Sequence, residues 1–139
     1  MGHVILQPSG SPSARQHYAD TIEIPVDFDD RARLFKPGQG SHLREIFPDG
    51  RAPLWGVTPG SNGANVSKFE RARVGDLVVF AGKGSIFSCG TIAAIFQNRE
   101  LAESLWGLDQ SGMTWEYMYA LDEIRPLSIR YAEFNRVVG

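Results

Sequence analysis

The apolar positions of this chain predict a pair of buried strands in its middle. Residues 75–82, GDLVVFAG, and 85–96, SIFSCGTIAAIF, are nearly continuous apolar runs, a pattern typical of strands covered on both faces. Gly75 and Asp76 form a turn that opens the first run, and GKGS at 82–85 joins the two. The sequence therefore predicts a β-hairpin over this region.

Other segments show a shorter strand pattern. PLWGV at 53–57 predicts a short strand, TWEYMYAL at 114–121 a strong one, and RPLSI at 125–129 a last one. TIEIPVDF at 21–28 alternates apolar and polar residues, and Pro25 assigns that strand to an edge or a bulge. One face of the aromatic strand is expected to carry Trp115, Tyr117, Tyr119 and Leu121.

Helices are predicted between these strands. VSKFERAR at 66–73 favours one or two helical turns. Asn98 is a suitable N-cap for a helix over RELAESLW, and Gly107 is its expected stop. The remaining chain is rich in turn formers, which predicts loops at 7–16, 36–51 and 58–65.

These elements predict one mixed α/β (α+β) domain with a curled, mostly antiparallel sheet. Residues 1–20 are expected to be a flexible lead-in, and residues 21–139 the domain itself. The ending EFNRVVG carries no stop signal, so both a piece of a longer protein and a free C-terminus are compatible with it. No signal peptide is recognisable at the N-terminus.

Composition narrows the class of protein. Hydrophobic residues make up 42% and charged residues 22% of the 139 residues, which is typical of a globular domain. The single cysteine, Cys89, excludes an internal disulfide and favours a reducing, cytoplasmic setting. The net charge is −2, so binding to nucleic acid would need a local basic surface.

Catalytic and metal-binding patterns are weak. The three histidines, His3, His17 and His42, do not have metal-ligand spacing, and Cys89 lies inside an apolar strand. The GKGS sequence lacks the spacing of a phosphate-binding loop and is interpreted as a turn. Adjacent acids at 29–30 and 122–123 point apart on a strand. A binding module without metal or cofactor is therefore expected, and not an enzyme.

The order of the motifs resembles a known family. A strand with Trp55, the loop TPGSNGAN, a short helix, GDLVVFAGKGSIFSCG, the helix end SLWG and the strand TWEYMYAL follow one another over about residues 53–127. This succession resembles the YTH domain and its relative the EVE domain, both of the PUA-like superfamily. Where the family often has Ser or Cys after the first tryptophan, this chain has Gly56. The resemblance implies a PUA-like curled sheet or barrel flanked by short helices.

The resemblance also implies a reader of modified bases. Trp55 and Trp106 would be two walls of an aromatic cage that holds a flipped base, N6-methyladenine or 5-methyl- or 5-hydroxymethylcytosine in DNA. Related prokaryotic proteins are often specificity domains of modification-dependent restriction systems, fused to a nuclease or a nucleotide-driven motor. Trp115 and Tyr117 would either close the pocket or fill the core.

Further candidates follow from the chemistry such a pocket needs. The base edge would be read by backbone groups and short polar side chains, since asparagine both donates and accepts hydrogen bonds. The candidates for this role are Gly56, Val57, Asn62, Asn65, Ser85 and Ser88. The candidates for contacts with the phosphate backbone are Arg33, Lys36, Lys68, Arg71, Arg73 and Lys83.

Three alternatives stay open at this stage. The same module could read methylated or structured RNA. A catalytic or small-ligand domain could use Asp29 with Asp30, or Asp122 with Glu123. A protein-interaction domain would need neither acids nor a basic groove.

Overall fold

A computed structural model describes residues 3–138. The strands are β1 (Val4–Pro8), β2 (Val26–Asp27), β3 (Arg51–Ala52), β4 (Leu54–Val57), β5 (Leu77–Gly82), β6 (Ser85–Gln97) and β7 (Tyr117–Arg130). The α-helices are α1 (Pro12–Tyr18), α2 (Gln39–Ile46), α3 (Ala64–Arg71), α4 (Arg99–Trp106) and α5 (Tyr131–Val138). A π-helical turn covers Ala19–Glu23, and 3-10 segments cover Phe28–Leu34 and Ser61–Gly63.

Five strands form one curled sheet in the order β1-β5-β6-β7-β4. β1 runs parallel to β5, and the other neighbours are antiparallel. The register shifts three times between β6 and β7, and such bulges bend strands and increase their twist. The mixed α+β fold with a curled, mostly antiparallel sheet is confirmed. A separate two-stranded sheet joins β2 and β3.

The centre of the chain folds as its pattern predicted. The hairpin of β5 and β6, the strand β4 and the helix α3 lie where the sequence placed them. Asn98 caps α4 by accepting a hydrogen bond from the Leu101 N–H at 2.9 Å, and Gly107 ends this helix with a φ of 79°. β7 begins only at Tyr117, so Trp115 precedes it, and the predicted strand 125–129 is its continuation.

The N-terminal third differs from the prediction. The predicted loop over 7–16 contains the end of β1 and most of α1, which Ser11 caps by accepting from the Ala14 N–H. Residues 1–2 of the expected lead-in, and residue 139 of the expected domain, lie outside the described residues. The loop predicted over 36–51 contains α2.

The strand predicted over residues 21–28 is also wrong. This segment begins in the π-helical turn and contributes only β2 to a sheet. Ile22, Val26 and Phe28 are buried as the alternation suggested, but Ile24 is 69% exposed. The Thr21 hydroxyl donates to the Leu54 carbonyl at 2.6 Å, so this turn caps the outer edge of β4. The alternating pattern assigned the buried Ile22, Val26 and Phe28 to one face of a strand, but they belong to different local structures.

The sheet separates two apolar clusters at β4. Leu54 packs with Phe28, Leu43 and Met118 in one cluster, and Trp55 packs with Phe80, Tyr119 and Leu121 in the other. Consecutive side chains of a strand point to opposite faces. The register repeats this division in β7, where Ala120 faces Leu54 and Tyr119 faces Trp55 across the strand pair.

Asp76 fixes the start of β1. Its buried carboxylate accepts the His3 N–H at 2.8 Å and the Arg73 N–H at 2.9 Å. Burial alone would raise the pKa of Asp76, but these hydrogen bonds and the nearby His3 and Arg73 hold the pKa below its ordinary value. Through Asp76, the start of the parallel edge strand β1 is thus hydrogen-bonded to the turn before β5. No helix within residues 3–138 is long and apolar enough to cross a membrane.

We expect Asp76→Asn to lower the free energy of unfolding at pH 7 by about 1–3 kcal/mol, because its amide N–H₂ would face a backbone N–H. A carboxylate with a lowered folded-state pKa stabilises the fold above the unfolded-state pKa. That stabilisation is lost as the pH falls through the folded-state value. Urea unfolding should therefore show a smaller difference at pH 3 than at pH 7. A pH-independent difference would contradict this role, and exposed Asp49→Asn is the control.

Candidate functional site

Gly56 makes room for two aromatic residues on one face of β4. A Cβ atom at this position would lie 2.2 Å from the Trp115 carbonyl oxygen, 2.8 Å from Trp106 Cζ3 and 2.9 Å from Trp115 Cβ. None of these distances is compatible with a side chain. Glycine is required here by close approach, and the indoles that approach it come from α4 and the segment before β7.

The predicted cage of Trp55 and Trp106 is therefore wrong. Trp106 lies against Gly56 and the cluster of Leu54, whereas Trp55 lies in the cluster on the opposite face. The strand β4 stands between the two indoles, so they cannot sandwich one base. The Trp106 N–H is shielded from solvent and has no hydrogen-bond partner among residues 3–138.

Trp55 reaches the edge of the sheet from its own face. It is 4% exposed and packs edge-on against Phe80, with the ring centroids 5.0 Å apart. Its indole N–H donates to the Gln7 side-chain oxygen at 3.2 Å. Because Gln7 belongs to β1 and Trp55 to β4, this bond joins the two outermost strands of the curled sheet.

His17 of α1 completes the aromatic group around Gly56. Its ring stands edge-on to Trp115 at a centroid distance of 4.4 Å and is tilted against Trp106 at 5.7 Å. Burial lowers the pKa of His17 below its ordinary value, and Asp20 only partly offsets this. The imidazole is accordingly neutral at pH 7 and can both donate and accept a hydrogen bond.

These residues border a cleft of about 210 Å³ between α1, the end of β4 and Trp115. We call it the aromatic cleft. It is lined by the aromatic residues His17, Trp55 and Trp115, of which Trp55 is buried, and by the polar residues Gln7, Ser11, Ser13, Thr58 and Asn65. Gly56 and Val57 also line it. Four predicted base-binding residues, Trp55, Gly56, Val57 and Asn65, are thus brought together.

A larger cleft of about 690 Å³ lies between β1 and α3. We call it the basic groove, because Lys68 and Arg71 line it. Burial, with a contribution from Asp76, raises the pKa of its Tyr119 to about 12, so that hydroxyl stays protonated. The two clefts share Gln7, Pro8, Val57 and Asn65, and they therefore lie side by side.

The other predicted base-reading residues lie elsewhere. Asn62 is exposed in a left-handed turn with a φ of 56° and lines neither cleft. Ser88 is buried and accepts a hydrogen bond from the Tyr18 hydroxyl at 2.6 Å. Ser85 opens β6 opposite Arg130. Their predicted role in base reading is not supported by this placement.

The six predicted phosphate contacts do not form one surface. Arg33 and Lys36 flank Leu34 and Phe35, which pack on the cluster of Leu54 and thus on the opposite face from α3. Lys83 lies in the turn between β5 and β6. Arg73 donates to the Glu70 and Ala72 carbonyls. Only Lys68 and Arg71 remain beside the clefts.

The acidic pairs do not line either cleft. Arg44 donates to the Asp29 carboxylate, and Asp122 accepts the N–H of Glu123. All four acids are exposed. Within residues 3–138, no group of three or more His, Cys, Asp or Glu side chains is arranged to hold a metal ion.

Sequence reasoning missed the contribution of the N-terminus. Gln7 and His17 fall in residues 1–20, which were assigned to a flexible lead-in, yet both line the aromatic cleft. A usable signal was present: Ser11 followed by Pro12 is a common start of a helix. No signal of that kind identified Gln7, whose importance depends on its contact with Trp55.

No protein-family model matches this chain, and a search of curated proteins finds no match. The resemblance to YTH and EVE domains therefore stays a prediction from the motifs.

We expect Gly56→Ala to lower the free energy of unfolding by about 1–3 kcal/mol, because an overpacked site must displace Trp106 and the Trp115 backbone. Gly40→Ala is the control, since its Cβ would lie 3.8 Å from the nearest atom, Phe35 Cβ, inside α2. It should leave stability unchanged or raise it by up to about 1 kcal/mol. Equal denaturant midpoints for both variants would refute the close packing at Gly56.

Proposed function

We propose that this protein binds modified double-stranded DNA and holds one extruded, methylated base in the aromatic cleft. The observation that supports this most directly is that two clefts adjoin and share Gln7, Pro8, Val57 and Asn65. The smaller cleft is lined by Trp115, His17 and the buried Trp55, and the larger one by Lys68 and Arg71. A base needs aromatic surface, and the adjoining phosphates need cations.

The size of the aromatic cleft favours a single heterocycle. Its volume of about 210 Å³ is below the roughly 300–1,000 Å³ of pockets that hold drug-sized ligands. Trp115 and His17, with polar residues beside them, match the two requirements of a nucleobase, a flat apolar face and a polar edge. Trp106 packs against Gly56 and His17 and does not line this cleft.

The free energies of the individual steps indicate that selectivity between bases would come from the modification. Stacking on aromatic side chains contributes about 1–3 kcal/mol per base, and extrusion from a duplex costs a few kcal/mol. These terms nearly cancel. A buried methyl group adds about 0.8 kcal/mol, and an unmatched polar edge costs about 1–3 kcal/mol. Net affinity then depends on the methyl group and the base edge together.

The charge distribution fits a reader with weak non-specific binding. The net charge is −2, and only two of the six candidate cations border the clefts. In this proposal the protein acts in the cytoplasm as the specificity domain of a modification-dependent restriction system. The buried free thiol of Cys89 suits that reducing compartment.

We expect removal of an aromatic wall to abolish discrimination between bases. Duplexes that differ in one base, adenine, N6-methyladenine, cytosine, 5-methylcytosine or 5-hydroxymethylcytosine, would be titrated by fluorescence anisotropy at fixed salt. The wild type should bind one modified duplex at least about tenfold tighter, roughly 1.4 kcal/mol. Trp115→Leu should remove that gap because it deletes a wall of the cleft.

Trp106→Leu is the matched control, since the same indole is lost outside the aromatic cleft, and it should retain the gap at a temperature where it is folded. Equal affinity of the wild type for all duplexes would contradict the proposal. If single-stranded RNA outcompeted duplex DNA of equal sequence, RNA and not DNA would be identified as the ligand.

We expect Lys68 and Arg71 to contribute equally to the affinity for every duplex, because they would contact phosphates and not bases. The double substitution Lys68→Ala/Arg71→Ala should weaken every duplex by a similar factor and keep the preference for the modified base. The slope of log Kobs against log salt should become shallower by about 1.8 if two phosphate contacts are lost. Arg33→Ala/Lys36→Ala, at residues that line neither cleft, should leave slope and affinity unchanged. An equal effect of both pairs would contradict the basic groove.

A further inference from the structure

We propose that Gln7 determines which base edge the aromatic cleft accepts, by presenting its side-chain N–H₂ as a fixed donor. This inference rests on the proposed function, because it names the reading group of the same cleft. Gln7 lies on β1 at the junction of the aromatic cleft and the basic groove and lines both. Its role follows from how Trp55 orients it.

The chemistry of Trp55 fixes the orientation of the Gln7 amide. An indole N–H can only donate a hydrogen bond, so its partner must be an acceptor. The Trp55 N–H bonds the Gln7 Oε1 at 3.2 Å, and the Gln7 Nε2 is left to face away from the indole. Within residues 3–138 this N–H₂ group has no hydrogen-bond partner. Two donors are therefore available to a ligand.

The same reasoning orients Asn65. A backbone carbonyl can only accept, so the group that bonds the Thr58 carbonyl at 3.0 Å must be the Asn65 N–H₂. The backbone N–H of Asn65 donates to the Pro59 carbonyl, which holds the residue in place. The Asn65 Oδ1 is left as an acceptor, unpaired in the part of the chain that the structure describes.

Gln7 and Asn65 both line the two clefts, so the pair offers a ligand one oriented donor group and one oriented acceptor. Their complement is a heterocycle edge that carries one acceptor and one N–H donor, such as N1 and N6 of adenine or N3 and N4 of cytosine. A methyl group on N6 leaves one N–H, and a methyl group on C5 leaves that edge untouched. The amide pair would read the edge, and the aromatic walls would contact the methyl group.

The substitution Gln7→Glu tests this role. Glutamate keeps an oxygen for the Trp55 N–H but replaces the free N–H₂ by an acceptor. Gln110→Glu adds the same charge at an exposed loop position and is the matched control. The probes are the free nucleosides N6-methyladenosine and 5-methylcytidine, followed by NMR, and the five duplexes described above, followed by anisotropy.

We expect one of the nucleosides to shift the side-chain N–H₂ signals of Gln7 and leave those of Asn65 near their original positions. Gln7→Glu should preserve the Trp55 indole N–H signal and lower the affinity for that nucleoside at least about tenfold. Gln110→Glu should stay within about twofold of the wild type. Loss of the Trp55 signal in Gln7→Glu would instead show that Gln7 only holds the indole in place, which overturns the reading role.

The nucleosides separate this inference from the proposed function. The inference is overturned if neither nucleoside shifts the Gln7 amide, or if Gln7→Glu binds as the wild type does. Nucleoside binding that depends on Gln7, without any preference among the duplexes, would overturn the DNA-reading proposal alone. A duplex preference that survives Gln7→Glu would overturn the inference and leave the proposed function standing.

Discussion

The pleat of β4 is the constraint on which the rest of the site depends. Four residues, LWGV, must send consecutive side chains to opposite faces of the sheet. Trp55 therefore joins the cluster of Phe80 and Tyr119, and Gly56 opens the other face to Trp106 and Trp115. A side chain at Gly56 would displace both indoles, so the glycine sets the distance between α4, the segment before β7, and the sheet.

The curled sheet adds a second constraint, because it brings its two outermost strands towards each other. β1 and β4 are not hydrogen-bonded neighbours, but Gln7 and Trp55 connect them through side chains. The space left between these strands is occupied by the aromatic cleft and the basic groove, with α1 and α3 as their outer walls. This bond therefore links the two edges of the sheet and fixes which end of the Gln7 amide faces Trp55.

The sequence predicted the middle of the fold well, because its signals there are local. Continuous apolar runs identified β5 and β6, and Asn98 with Gly107 bounded α4. The N-terminal segment failed for a physical reason: the short β1 gains its stability from pairing with β5 and from the Asp76 carboxylate, 73 positions away from His3. Of the site, Trp55, Gly56, Val57 and Asn65 were anticipated, and Gln7 and His17 were not.

By itself the sequence determined that Asn98 caps α4 and that a mostly antiparallel sheet forms, since these depend on residue type and short spacing. Only the tertiary structure decided that Trp55 and Trp106 stand on opposite faces. It also decided which cations share a surface, since Lys68 and Arg71 meet the clefts and Arg33 and Lys36 do not. The reason is that the pleat of a strand fixes only that neighbouring side chains lie on opposite faces of the sheet. The curl of the sheet and the pairing of its strands decide which other residues pack on each face.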